Sequence, residues 1–226
     1  MTELIAEFEL IGAFWTNIQL MLWSALFALV LGTVVAILRL SPVGIMHRVG
    51  AAYVTLLRNT PLTLIIVFTS VALWQQLGFE PASRDAGDFF EVLNFRLAVL
   101  GLSVYHAAFV CEALRSGVNT IPVGQAEAYR SIGLTFSQGL RHVIMPQAFR
   151  GAITPLGNVL IALTKNTTVA SAIGVAGAAY QMDYMIEFRP DLLFAVFGVI
   201  AVGFVIIVLP IGLGTSWLAG RLAVKR

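Results

Sequence analysis

The chain has 226 residues, of which 58% are hydrophobic and only 12% charged, about half the charged share of an ordinary soluble domain. With a mean hydropathy of +0.88, it has too few charges to cover a soluble surface. That excludes a soluble enzyme, a nucleic-acid binder and a disordered chain, and leaves a multi-spanning membrane protein.

The N-terminus carries Glu3, Glu7 and Glu9 and no basic residue before Arg39. The basic start of a cleavable signal peptide is missing, so the first apolar segment is expected to stay. Residues 10–38, 59–79, 97–111 and 192–220 are free of charge, and 151–173 hold only Lys165. At ~20 apolar residues per helical crossing, these runs predict an all-α fold with five transmembrane helices, at about 13–38, 55–77, 97–117, 150–172 and 192–218. A single domain over residues 1–226 is the economical reading.

Lys and Arg set the direction. With the N-terminus outside and the C-terminus inside, the inner segments 39–58, 112–150 and 221–226 hold ten basic residues: Arg39, Arg48, Arg58, Arg115, Arg130, Arg141, Arg150, Arg221, Lys225 and Arg226. Glu112 and Glu127 are their only acids. The outer segments hold Arg84, Arg96 and Arg189 against ten acids, including Glu80, Asp85, Asp88 and Glu91 in loop 78–96 and Asp183, Glu187 and Asp191 in segment 174–191.

The inner stretch 117–150 is helix-prone. Pro122 suits a first helical turn, Gln125 to Ile132 reads as a short helix, and Gly133 fits the left-handed position just past its end. A second helical piece starts near Thr135 or Ser137, and Pro146 interrupts it before the fourth span. A short helix held on the membrane face suits a groove on a soluble partner.

In this stretch, about residues 120–147, Glu127, Ala128 and Tyr129 are followed at fixed spacing by Gly133, Val143, Met145 and Pro146. The pattern resembles the EAA loop of ABC importer permeases, with Tyr129 in place of an alanine and Val143 and Met145 in place of Ile and Leu. Arg58-Asn59-Thr60-Pro61-Leu62, Phe109 to Gly117 and Leu163-Thr164-Lys165-Asn166-Thr167-Thr168 resemble the corresponding stretches of polar amino-acid permeases. The form of these variants is most similar to glutamate-uptake permeases of actinobacteria.

The resemblance implies half of a translocation path in a bacterial plasma membrane, paired with a second permease subunit, expected to be a heterodimer partner. It also implies a P-loop ATPase dimer docked at Glu127, Ala128, Tyr129 and Gly133, and an extracytoplasmic amino-acid-binding protein. The chain has no Gly-x4-Gly-Lys-Ser/Thr loop, so ATP and Mg are expected on the separate ATPase and no cofactor in this chain. The spans would rock between inward-open and outward-open states.

Lys165 lies mid-span, where a lysine costs ~2.5–3.5 kcal/mol. One reading is a cation on the path that binds a substrate carboxylate; the other is a lysine paired with Glu112 or snorkelling to an interface. The first is favoured, since charges inside a membrane default to function. Asn166 stands where the resembling stretch often has Asp, which leaves Lys165 less compensated and favours an anion such as glutamate over arginine; bonding to a neighbouring helix is the alternative. Glu112 either binds a substrate ammonium or pairs with Arg115 or Lys165. Thr167, Thr168 and Ser171 are weaker path candidates, and Asn158 weaker again, because such side chains often bond their own backbone.

Arg58 reads as an inner-face anchor, and the stripe Gly212, Ser216 and Gly220 as a close-packing face. Cys111 reads as a buried thiol. His47, His106 and His142 show no metal spacing, and no catalytic triad stands out. The rival readings are a permease for glutamine or another polar amino acid and, from another class, an ion-coupled carrier or channel working without ATP.

Overall fold

The computed structural model describes residues 9–84 and 87–222. Glu3, Glu7, Asp85, Lys225 and Arg226, which entered the charge reading above, lie outside the described residues. Every regular element among the described residues is helical.

α1 (Leu10–Leu40) ends at Ser41, whose backbone N–H bonds the Leu38 carbonyl; Pro42 forbids a further helical turn. α2 (Gly44–Arg58) follows. Its last carbonyls are taken by side chains: Asn59 Nδ2 donates to Thr55 O at 2.7 Å and Thr60 Oγ1 to Leu56 O at 2.8 Å. Pro61, at φ −58 and ψ 134, then holds the chain extended, and α3 (Leu62–Phe68) leaves at 102° to α2. The expected span 55–77 is therefore two elements. The second is α3 with the wide π-helical turns Thr69–Gln76 that continue it; the break falls here because a proline pushes the residue before it out of the helical region.

α4 (Phe89–Val118) begins well before the expected residue 97, which shortens the acidic outer loop. Within that loop, hydrogen bonds from Arg84 hold the Glu80 carboxyl below its ordinary range. α4 is the hub. In its most apolar stretch 72% of residues are buried, and α1, α2, α3 and the later helical segments Met145–Gly151 and Ile153–Asn166 pack on it. Small residues allow the close approach. A Cβ on Gly32 of α1 would lie 2.6 Å from Val110 Cβ, and one on Gly117 would lie 2.1 Å from the Ala148 carbonyl oxygen.

The inner stretch forms α5 (Val123–Ser131), with Pro122 just before its first turn. Gly133 sits at φ +80, a backbone region that costs glycine little. Thr135 and Gln138 close a capping box on α6 (Phe136–Gly139). The chain then stays helical through a π turn, Leu140–Ile144, into α7 (Met145–Gly151). Pro146 does not break it, contrary to expectation. The π turn just before it shifts the backbone bonding register, and the helix accommodates Pro146 there.

α8 (Ile153–Asn166) winds tighter into a 3-10 helix over Thr167–Ile173. After Gly174, at φ +81, α9 (Ala178–Phe188) runs at 56° to it. α10 (Leu193–Leu222) completes the chain with only 11% of its apolar stretch buried. α1, α4 and α10 are each long and apolar enough to cross a membrane. The two bent pairs raise the number to as many as five spans if each pair is counted once.

Candidate functional site

The polar residues of the fourth apolar segment fall into three columns. Thr164, Thr167 and Ala170 are buried against the rest of the chain, so Thr167, expected as a path candidate, faces inward instead, its hydroxyl taken by Asn17 and the Thr164 carbonyl. Asn166 and Val169 border α4 and α3, Asn166 through a contact with His106 and Val169 through the cluster around Leu62 and Ile66. Lys165 is exposed, with Thr168 and Ser171 half-buried beside it. In an α-helix, residues three apart drift round the axis; in a 3-10 helix they eclipse one another. The tightening at Thr167 thus keeps Thr168 and Ser171 on one line, reached from Lys165 one turn earlier. Asn158, seven residues before Lys165 and also exposed, lies on the same face of α8. Thr168 Oγ1 donates to the Lys165 carbonyl at 2.8 Å.

Of this column, Thr168 borders a cavity. The cavity, of about 400 Å³, lies between the 3-10 segment, α9 and α10, with Thr168 and Asp183 as its polar members among Val169, Met182, Phe197 and Phe204. A larger groove of about 980 Å³ between α1 and α4, edged by Trp23, Phe27 and Glu91, includes none of the expected site residues.

Lys165 takes part in no ion pair among the described residues, so the alternative pairing with Glu112 does not occur. Glu112 is engaged elsewhere. Arg39 of α1 donates to its Oε1, and Arg115 reaches the same carboxylate at 3.2 and 3.3 Å. Arg58 stands 3.9 Å away, its guanidinium 5.7 Å from the Phe109 ring centre. Three arginines from three helices thus share one carboxylate at the end of α4.

Two buried polar residues were not among the site residues expected from the sequence. Asn17, 1% exposed on α1, donates from Nδ2 to Thr167 Oγ1 at 2.7 Å and accepts the Ala178 backbone N–H at 2.7 Å. It ties α1 to both sides of the bend between the 3-10 segment and α9. His106, also 1% exposed, bonds Leu102 O and Asn166. Each is a strongly polar side chain inside a charge-free run, and that was the available signal.

On α5, Glu127 and Ala128 are exposed while Tyr129 turns inward, 6% exposed. The Tyr129 ring occupies the space at Gly139, where a Cβ would stand 2.4 Å from ring carbons. Among the described residues, no three His, Cys, Asp or Glu side chains are grouped to hold a metal.

The model of the family described as "Binding-protein-dependent transport system inner membrane component" matches residues 28–225. The chain is 54% identical, over 96% of both sequences, to the glutamate transport system permease protein GluC of Corynebacterium efficiens. It is 52% identical, over the same shares, to GluC of Corynebacterium glutamicum. Its fold matches that of a chain in the inward-facing MetNI methionine ABC transporter with a TM-score of 0.81, at 22% identity over 99% of this chain and 100% of that one. With a family model over most of its length and relatives more than half identical along nearly all of it, the chain belongs to the binding-protein-dependent transport system inner membrane components.

Proposed function

We propose that this chain is the transmembrane permease subunit of an ATP-driven importer for glutamate. The single observation that carries the substrate is the 54% identity to a glutamate permease over 96% of both chains. The chemistry of the polar column agrees with it. Lys165 has no carboxylate partner among the described residues, so its charge is available to an anionic substrate. In this reading Lys165, Asn166, Thr168 and Ser171 touch glutamate as it passes. Glu112, held by three arginines, meets substrate only if that cluster opens, and fastens α1, α2 and α4 together until then.

The charge asymmetry supports five spans, N-out and C-in, within a single domain in the bacterial plasma membrane. The Arg39, Arg58 and Arg115 cluster then marks the inner face. Its neighbour α5 is the coupling helix, offering exposed Glu127 and Ala128 to a separate P-loop ATPase dimer that binds ATP and Mg. Gly133 closes its end, and Tyr129 props it from within. A second permease, as a heterodimer partner, and an extracytoplasmic amino-acid-binding protein complete the transporter.

The test is ATP-dependent uptake into proteoliposomes holding the whole complex, with glutamate, glutamine and arginine compared in wild type and Lys165→Ala. Glutamate uptake that requires ATP and falls at least about tenfold in the variant, the loss of one charge-assisted contact, is expected. Uptake without ATP refutes the importer; equal uptake by both proteins removes Lys165 from the path; preference for arginine removes the argument from Asn166.

A further inference from the structure

The contact between His106 and Asn166 has a polarity that its surroundings dictate. The Leu102 carbonyl can only accept, so His106 Nδ1, 2.9 Å away, carries the proton and donates. Asn166 Nδ2, 3.1 Å from Nε2, can only donate, so Nε2 accepts. The imidazole is the neutral Nδ1–H form with both nitrogens engaged, and it holds the amide nitrogen of Asn166 against α4. The amide is planar, so its carbonyl oxygen points away from the ring. Oδ1 has no partner among the described residues, where only Ser24 Oγ and Arg39 Nε are buried polar atoms lacking one. It is therefore open to the space beside the span. Lys165, one residue earlier, presents an ammonium on the exposed face.

We propose that His106 is a positioning residue for substrate recognition. It fixes the Asn166 amide with the carbonyl outward, so that Oδ1 accepts from the ammonium of an α-amino acid while Lys165 meets a carboxylate. This rests on the reading that Lys165 and Asn166 touch substrate, and it adds the contact for the substrate's amino group. Asn166 and His106 form a matched pair: a carboxylate at 166 has no hydrogen to offer Nε2. The imidazole would then have to take a second proton or release Leu102.

Equilibrium binding of labelled glutamate to the purified, assembled transporter tests this, with ATP-driven uptake alongside. His106→Leu removes the acceptor and is expected to weaken glutamate binding about tenfold, the loss of one fixed hydrogen bond to substrate. His106→Gln keeps an acceptor and is expected to bind within about threefold of wild type. Asn166→Ala is expected to lose about tenfold, and the double variant His106→Leu/Asn166→Ala no more than Asn166→Ala alone, because residues acting through one another are not additive. Losses that multiply in the double variant, or wild-type binding by assembled His106→Leu, overturn the inference and leave the substrate reading standing. Wild-type binding by Asn166→Ala overturns both. Should His106→Leu fail to assemble on gel filtration, His106→Gln decides: a tenfold loss there, with assembly intact, overturns the positioning role.

Discussion

The bend after the 3-10 segment hangs on one side chain, and Asn17→Ala measures its worth. Asn17 accepts the Ala178 N–H and donates to Thr167, both at 2.7 Å and both buried. Deleting the amide leaves the Ala178 N–H at the start of α9 with no partner, at about 1–3 kcal/mol. The bond to Thr167 adds about 0.6 kcal/mol, the average for a hydrogen bond between membrane helices. The Thr167 hydroxyl keeps its own bond to the Thr164 carbonyl at 2.7 Å, so nothing further is orphaned there. The expected loss is roughly 2–4 kcal/mol. Thr167→Val removes the bond from Asn17 and the hydroxyl's own bond to the Thr164 carbonyl but leaves the Ala178 N–H satisfied, so its loss should not exceed that of Asn17→Ala. Gly177→Ala should approach Asn17→Ala, since a Cβ there lies 2.7 Å from Asn17 Oδ1. The assay is equilibrium unfolding of the purified protein in mixed micelles of mild detergent and dodecyl sulfate, followed by circular dichroism. A loss below about 0.5 kcal/mol for Asn17→Ala, the level of an ordinary surface change, refutes the reasoning. So does a Thr167→Val variant less stable than Asn17→Ala.

Glu112→Gln should destabilise the same preparation by about 1–3 kcal/mol, discounted from a fully buried pair because a third of the carboxylate is exposed. Arg58→Ala should stay within about 0.5 kcal/mol, since Arg58 is half exposed and 3.9 Å from its partner; the reverse order would show that Arg39 is not the principal partner. Gly139→Ala should push Tyr129 out of its seat and cut the transport obtained per ATP hydrolysed, with Tyr129→Ala restoring it in the double variant. Failure of that rescue would mean Gly139 acts independently of α5.

The apolar runs revealed the long apolar helices because charges inside them are rare and turns need polar residues. The capping residue Thr135 and the positive φ of Gly133 were legible for the same local reason: each is fixed by neighbours within a few positions. The break at Asn59-Thr60-Pro61 carried its signal in Pro61, whose restriction of the preceding residue outweighs an unbroken apolar pattern. The pairs Asn17–Thr167 and His106–Asn166 join residues far apart in the chain. A span that is apolar on every face gives no periodicity from which to tell which side meets which neighbour. Tyr129 looked like a docking residue from its place in the motif, whereas its inward turn depends on the gap left at Gly139.

The tighter winding after Asn166 also changes distances along the membrane normal. At about 2.0 Å per residue instead of 1.5 Å, the seven residues Thr167–Ile173 reach about 3.5 Å further than they would as α-helix. That extra reach lengthens the segment while its hydroxyls stay in register. Thr168 and Ser171 become rungs of a ladder about 6 Å apart, roughly the length of a small amino acid. If the column lines the path, as proposed, a solute passing α8 would release one rung as it takes the next without changing sides of the helix.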